Sequence, residues 1–456
     1  MTSLQKIRGD NTTMKSPMLF IVSLCAIVAF TFNIVLADDS QIGPTLQISL
    51  DETIKRALKT SEELKIKDSE IKKSKGVYGE VRSEALPHIS GQSIWTNNMD
   101  YPDKSSGKYY DHSLDNGISA SQLIWSFGKV MYAIDSAKNA VEATRLNREA
   151  SRQDVIFAAK LSYYSCLLAK NTLSIAEKSY ADVLENKKLI GQRSYGGRSS
   201  KYEIVKINAD VAARIPAVNE ARTQFDAAIE TLRRVIDVDF DRKIELEGNF
   251  QEQYTDFNYE TLVSAMYAYE PSLQGLEKSI DSAEASVKSK YASFLPTISA
   301  FASMNYKGDS NENSFLKKDE LDNYSAAGLK VSIPIWEGGI KEAQLSQAKA
   351  NKEIAVLRKK QVERNLLLEL KKAYLEYQQY KDNLKVNIEA VSLAEEAFKQ
   401  TQEMFSSGQV SITDLNIAEL SLTNQRLNKE ATLYNINITL SKIEKLITEK
   451  YEHEKL

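Results

Sequence analysis

Residues 405–414, Phe405-Ser-Ser-Gly408-Gln-Val-Ser-Ile-Thr-Asp414, separate two long segments in which apolar residues recur at intervals of seven. This period places them along one side of a helix, as in a coiled coil. Gly408 supplies the positive φ at which a helix ends, and Ser411 or Thr413 can cap the next one. The sequence therefore predicts helices at about 339–405 and 411–446 that fold back on each other at Gly408. The seam residues are Leu370, Tyr377, Leu384, Val391, Phe398 and Phe405, then Leu415, Leu422, Ile436 and Ile443.

The length of these helices limits what they can pack against. At 1.5 Å per residue, an arm of roughly 65 residues spans about 100 Å. The hydrophobic core of a single globular domain is much shorter than the length of such a rod. We therefore expect the chain to pack against copies of itself.

Composition excludes several classes of function. The 456 residues contain 59 Lys and Arg against 62 Asp and Glu, a formal net charge of −3 that argues against a nucleic-acid partner. Two cysteines, Cys25 and Cys166, and three histidines cannot supply a disulfide framework or a His/Cys metal cluster. We also find no nucleophile or acid/base constellation, and predict neither an enzyme nor a bound cofactor.

The N-terminal segment has the pattern of a secretory signal peptide. Lys15 precedes an apolar run from Met18 to Leu36, and Ala37 is followed by acidic residues. A basic start, an apolar middle and a small residue at the end are typical of a cleaved leader. We predict a signal peptide at residues 1–37, and a retained membrane anchor is the alternative.

The rest of the chain contains an internal duplication. The junction Ile124-Trp125-Ser-Phe-Gly128-Lys returns as Ile335-Trp336-Glu-Gly-Gly339-Ile, and Leu86-Pro87-His-Ile-Ser90 returns as Leu295-Pro296-Thr-Ile-Ser299. These matches predict two structural repeats, 38–240 and 241–447, followed by a charged tail at 448–456. Each repeat has two strands and two long helices. We place strands at about 88–97, 117–126, 297–306 and 324–336, and first-repeat helices at about 129–193 and 200–236.

The predicted strands alternate as membrane strands do. Leu329, Val331, Ile333 and Ile335 fall on one face of the last strand, with Gly328, Lys330 and Ser332 on the other. An apolar outward face and a polar inward face are typical of a transmembrane barrel. In such a barrel Leu329, Val331, Ile333 and Ile335 would face lipid. A soluble hairpin of a sandwich is the alternative. Four strands are too few to enclose a lumen, whereas three copies would supply twelve.

Taken together, the Leu-Pro strand entries, the Gly128 and Gly338-Gly339 strand-to-helix junctions and the Gly408 reversal resemble the TolC family of bacterial outer-membrane channels. The resemblance implies a mainly α fold with a membrane β-barrel part. Its repeats would form a trimeric twelve-strand β-barrel continued by a twelve-helix α-barrel through the periplasm. It also implies a homotrimer in the outer-membrane lipid whose helical tips dock a periplasmic adaptor, or membrane fusion, protein. That adaptor would couple it to an inner-membrane pump or an ABC transporter.

The resemblance also indicates which residues could form the gate at the tip. The family pattern places there a tyrosine, an arginine and an acidic residue, which correspond to Phe405, Val410 and Glu203 in this chain. Phe405 lacks a hydroxyl and Val410 a guanidinium, so the family contact cannot form as such, and Arg198 beside Gly197 is a candidate substitute. Three residues after Asp414 the family can have an acidic residue that forms a ring of charge, and this chain has Ile417 at that position. Glu203, Asp414 and Asn416 can line the tip, or they are solvated caps of helix ends.

Three classes of function follow from these patterns. The first is the exit duct of a tripartite efflux pump or a type I secretion system. The second is a periplasmic coiled-coil structural or adaptor protein without a membrane barrel, and the third is an enzyme. We favour the duct, and the sequence leaves its cargo undetermined.

Overall fold

Helices account for most of the described residues, and the two longest run for 67 and 68 residues. A computed structural model describes residues 45–97, 112–195, 199–239, 242–250, 254–310 and 321–448, which belong to the unit Pro44–Leu456. The predicted signal peptide, the tip residues Gly197 and Arg198 and the tail beyond residue 448 lie outside them. No helix in the described ranges has both the length and the apolar composition needed to cross a bilayer.

The first half of the described chain begins with a short strand and two helices, and then forms a strand pair and a long helical hairpin. In order these are β1 (Leu46–Ile48), α1 (Leu50–Thr60), α2 (Glu62–Ser83), β2 (His88–Asn97), β3 (His112–Trp125), α3 (Lys129–Tyr195) and α4 (Lys201–Ile236).

The second half has the same order of elements. It consists of β4 (Ile244–Leu246), α5 (Tyr259–Tyr269), α6 (Pro271–Ala292), β5 (Thr297–Ser310), β6 (Asp322–Ser332), α7 (Ile340–Ser407) and α8 (Ile412–Ile447). Corresponding helices match closely in length. Both α1 and α5 have 11 residues, both α2 and α6 have 22, and both α4 and α8 have 36.

The last strand ends earlier than the alternation pattern indicated. We predicted a strand at 324–336, but β6 stops at Ser332, and Ile333 and Ile335 lie in the connection that leads to α7. Pro334 has no N–H to donate to a neighbouring strand, which accounts for the end of the ladder. Two other strands are longer than predicted, because β3 begins at His112 and β5 continues to Ser310.

Four strands form one antiparallel sheet in the order β2-β3-β5-β6. The central pair joins the two halves of the chain, for example through Ile118 opposite Met304. The predicted repeats therefore share a single sheet. A second, parallel sheet pairs β1 with β4, and neither of these short strands was predicted.

The register divides the large sheet into two unlike faces. One face, here called the uncharged face, has no Asp, Glu, Lys or Arg among its described residues. It includes Ile89, Ile118, Ile298, Met304, Leu329 and Val331. The opposite, charged face includes Asp115, Lys307, Asp309, Asp322 and Lys330, together with paired serines such as Ser90 and Ser119, whose Oγ atoms lie 2.8 Å apart.

The helices continue this layer in a fixed order. Next to the sheet, α3 packs between α2 and α6, and α7 packs on the other side of α6. Farther along the two long helices, α3 packs between α4 and α8, and α7 packs on α8. Four helices therefore lie side by side at each level, with α4 and α7 at the two ends of the distal order.

Candidate functional site at the tips of the helical hairpins

The turn of each long hairpin leads into a capped helix. Ser411 is the N-cap of α8, and its Oγ accepts a 3.3 Å hydrogen bond from the N–H of Asp414, whose carboxylate accepts one of 2.9 Å from the N–H of Ser411. Ser200 and Glu203 form the same reciprocal pair at the start of α4. Hydrogen bonds from the hydroxyl and the backbone of Ser411 lower the pKa of Asp414. Both acidic residues thus take the cap role that the sequence left open.

Gly408 ends α7 in the left-handed conformation. Its φ is 83°, and its N–H donates to the carbonyls of Met404 and Phe405. This conformation costs little for glycine but strains a residue with a Cβ atom. The reversal therefore depends on the residue type at position 408.

Arg193, near the end of α3, connects the two hairpin tips. It donates a 2.9 Å hydrogen bond to the carbonyl of Phe405, and its guanidinium carbon lies 4.6 Å from the centre of the Phe405 ring. The Phe405 carbonyl is at the end of α7, where carbonyl groups carry partial negative charge. We did not predict Arg193 from the sequence, although its spacing of three residues from Ile190 places both on one helix face.

A small apolar core holds the tips together above these polar contacts. It is formed by side chains of α3, α4, α7 and α8, and Phe405 is fully buried in it. Its other members are Val183, Ile190, Ile207, Phe398, Ile412, Leu415 and Leu422. Movement of one hairpin against the other would expose this shared core.

A buried carboxylate forms the next contact between the hairpins. Glu419 of α8 is 1% exposed and accepts hydrogen bonds from Ser179 of α3, Arg214 of α4 and Thr423 of its own helix. The guanidinium of Arg214 is partly buried and compensates the carboxylate charge. One acidic side chain therefore ties three helices from both hairpins together.

The environment of this carboxylate affects a neighbouring acid. Burial, together with the nearby carboxylates of Glu419 and Glu185, raises the pKa of Asp182, while Arg426 and Lys178 act in the opposite direction. Asn416 lies one turn before Glu419, donates to Asp210 of α4 and is largely buried. Polar contacts thus occupy several turns of the seam behind the tip.

The remaining tip candidates are Ile417, Gly197 and Arg198. Ile417 is 62% exposed on α8 and has Leu420, 41% exposed, on the same side one turn later. Gly197 and Arg198 lie outside the described residues, so the substitution proposed for Arg198 stays a prediction.

The junction glycines have the backbone conformation that a sharp strand-to-helix turn requires. Gly128, Gly338 and Gly339 all have positive φ values, and a Cβ atom on Gly128 would lie 2.8 Å from the Tyr132 ring. Of the four candidate lipid-facing residues, Leu329 and Val331 project from the uncharged face and are 71% and 58% exposed. Ile333 and Ile335 are exposed as well but lie beyond the strand.

Within the described ranges, no group of three or more His, Cys, Asp or Glu side chains could hold a metal ion. Cys166 is fully buried in α3, and burial raises the pKa of its thiol to about 12. The tip contacts hold the helix ends together.

Comparison with known proteins identifies relatives of this chain. Residues 262–449 match the family model described as outer membrane efflux protein. The outer membrane efflux protein BepC of Brucella suis is 24% identical over 234 residues, which cover 51% of this chain and 50% of BepC. The outer membrane protein TolC of Vibrio cholerae is 21% identical over 382 residues, 80% of this chain and 83% of that protein. The match to BepC thus spans only half of that relative.

The fold is also that of a solved channel. The crystal structure of the Campylobacter jejuni CmeC outer membrane channel superposes with a TM-score of 0.76 at 16% identity and covers 89% of each chain. At this identity the likeness concerns the fold.

Proposed function

We propose that the chain belongs to the TolC family of outer-membrane efflux proteins and is the trimeric exit duct of an efflux pump or secretion system. In this proposal the duplicated halves, with their matched helix lengths, form one third of a closed wall. The periplasmic helical tips dock an adaptor protein, which is coupled to an inner-membrane pump or ABC transporter. Energy comes from those partners.

The proposal rests on one observation about the described residues. The sheet and the layer of helices each have two edges at which no further described element packs. In the described residues, β2 pairs only with β3, and β6 pairs only with β5. Unpaired strand edges favour association with another strand. Because the strands alternate in direction, β6 of one copy can pair antiparallel with β2 of the next. Such a head-to-tail contact closes into a ring when the rotation permits.

The layer of helices ends in α4 on one side and α7 on the other, and the exposed surfaces of these two helices are complementary. On α7, six of the large exposed apolar residues are separated alternately by 11 and 7 residues, and 18 residues make about five helical turns. They form one stripe of Leu357, Leu368, Leu375, Val386, Leu393 and Met404. The exposed side of α4 carries smaller residues at helical spacing, Val205, Ala209, Ala212, Pro216, Thr223 and Ala227. Large side chains on one edge and small ones on the other allow close helix packing between copies.

The two faces of the sheet indicate how the strands are oriented. In a membrane barrel the apolar side of each strand contacts lipid and the polar side faces water. We infer that the uncharged face is turned to lipid, and that the charged face lines the lumen. Three copies would then supply twelve strands.

The tip contacts indicate how the periplasmic entrance of the duct would open. Arg193, Phe405 and Glu419 hold the ends of the two hairpins together, so their separation would widen the periplasmic entrance. Adaptor docking at the tips would favour the separated arrangement by binding it more tightly. The duct itself performs no chemistry on its cargo.

Fractionation and conductance measurements test this proposal. The protein should be recovered from the outer membrane as an oligomer that dissociates on heating in detergent gels. Purified oligomer should form water-filled pores in planar bilayers. A soluble periplasmic monomer without pore activity would instead support the coiled-coil adaptor and overturn the duct.

A further inference from the structure

We propose that three lysines at the helix-proximal end of the sheet, Lys129, Lys290 and Lys330, form a basic collar that makes the duct favour anionic solutes. This inference rests on the proposed function, because it requires the charged face of the sheet to line a lumen. It adds to that function the charge class of the preferred cargo.

Two of the three lysines of the collar, Lys129 and Lys290, line a cleft where the strands meet the helices. The cleft has a volume of about 330 Å³ and lies between the start of α3, the end of α6 and the start of α7. Three lysines line it, Lys129, Lys290 and Lys341, with Glu337 as the acidic residue among the lining side chains. Positive groups from three separate helices therefore meet at one place.

Most of this positive charge is uncompensated. Lys341 pairs with Glu337 at 3.2 Å, whereas the polar contact of the Lys290 ammonium is the neutral Gln344, at 3.3 Å. Within the described ranges, neither Lys129, Lys290 nor Lys330 has a carboxylate within the 4.0 Å of an ion pair. The N-terminus of α7, capped by Gly339 without a side-chain hydrogen bond, adds the positive end of a 68-residue helix to the same cleft.

The register shows on which side of the sheet the cleft opens. Thr297 and Ser332 both line it and lie opposite each other on the charged face. Lys330 is two residues from Ser332 on that face, where it is exposed. The acidic residues of the face, Asp115, Asp309 and Asp322, lie toward the other end of the strands. The helix-proximal end is thus basic, although the face as a whole carries both signs.

A ring of copies would repeat the collar around the lumen. Rings of like charge select ions of the opposite sign in pores, and the effect depends on screening by salt. The Debye length is about 10 Å at 0.1 M salt and about 3 Å at 1 M. The preference for anions should therefore be strong in dilute salt and weak in concentrated salt.

Reversal potentials across a planar bilayer with a KCl gradient test the collar. The wild-type oligomer should pass chloride more readily than potassium near 0.1 M salt and lose this preference near 1 M. The triple variant K129Q/K290Q/K330Q should lower the chloride-to-potassium ratio by about twofold or more at low salt. Lys330→Gln alone, which alters one exposed strand residue, should move the ratio in the same direction if the triple variant does not assemble.

Lys288→Gln is the matched control, because Lys288 lies on α6 close to Lys290 but pairs with Glu284 at 2.9 Å. This variant should keep the wild-type ratio. A wild-type pore that prefers potassium, or collar variants with an unchanged ratio, would overturn the collar and leave the duct standing. Absence of any pore current would refute the duct, and the collar with it.

Discussion

The guanidinium of Arg193 stacks on the ring of Phe405 and also donates a hydrogen bond to the carbonyl of that same residue. One side chain of the first hairpin thereby contacts both the ring and the backbone at the end of α7. Phe405 has no hydroxyl with which to form a side-chain hydrogen bond. The contact uses the backbone acceptor and the π face instead, and both remain available to a phenylalanine.

Removal of this contact should loosen the tip. A hydrogen bond from a charged donor contributes about 1.5–3 kcal/mol, so Arg193→Ala should raise single-channel conductance or open probability in planar bilayers. Arg193→Lys should have an intermediate effect, because it keeps the charge and loses the planar donor group. The control is Arg222→Ala. Arg222 pairs with Glu177 and its side chain is 61% exposed, so the conductance of this variant should match that of the wild type. Equal currents for Arg193→Ala and wild type would exclude Arg193 from the gate.

The buried Glu419 should contribute mainly to stability. Removal of one partner from a buried ion pair leaves the other charge uncompensated and costs about 3–5 kcal/mol. Glu419→Ala should therefore lower the free energy of unfolding of the oligomer in urea by that order, whereas an exposed variant such as Glu177→Ala should change it little. The double variant E419L/R214M should recover most of the loss, because it removes both charges. A double variant no more stable than Glu419→Ala would contradict this account.

The sequence predicted the seam better than the contacts between hairpins. The seven-residue period correctly identified Leu370, Tyr377 and Leu384 as buried, because periodicity reports which side of a helix faces a neighbour. The contacts of Arg193 and Glu419 join positions more than 200 residues apart in the chain. Nothing in the local pattern records which distant helix each side chain meets.

The end of the last strand shows a different limit. Alternation continues through Ile333 and Ile335, yet a proline between them removes a backbone donor, and β6 ends at Ser332. The short β1 and β4 were missed because their pairing joins the first described residues to the link between the two halves. Three-residue strands are too short to show an alternation pattern.

Two glycine substitutions should have opposite effects on the melting temperature. Gly408→Ala places a Cβ atom on a residue with a φ of 83°, which costs about 1–2 kcal/mol. Gly79→Ala lies within α2, where no atom lies within 4 Å of the added Cβ, and should gain about 0.5–1 kcal/mol. Thermal unfolding followed by circular dichroism would compare them. A Gly408→Ala protein as stable as wild type would show that the reversal does not require glycine.

Cysteine labelling should report both the burial of Cys166 and the processing of the N-terminus. With a thiol pKa raised to about 12 by burial, about one part in ten thousand is thiolate at pH 8. Native protein should therefore resist iodoacetamide, and Cys166→Ser should serve as the blank. After denaturation we expect one labelled cysteine, because Cys25 lies within the predicted signal peptide. Two labelled cysteines would show that the leader is retained, and labelling of the native protein would contradict the burial.

The two faces of β6 should differ in their tolerance of charge. Leu329→Lys places an ammonium on the uncharged face, where contact with lipid is unfavourable, by about 2–4 kcal/mol at the middle of a bilayer and by less toward its surfaces. Ala326→Lys adds the same charge to the same strand on the opposite face, which already carries Lys330. Outer-membrane fractions should contain much less Leu329→Lys oligomer than wild type and near-normal amounts of the Ala326→Lys oligomer. The opposite ranking would reverse the orientation of the sheet, and with it the assignment of the charged face to the lumen.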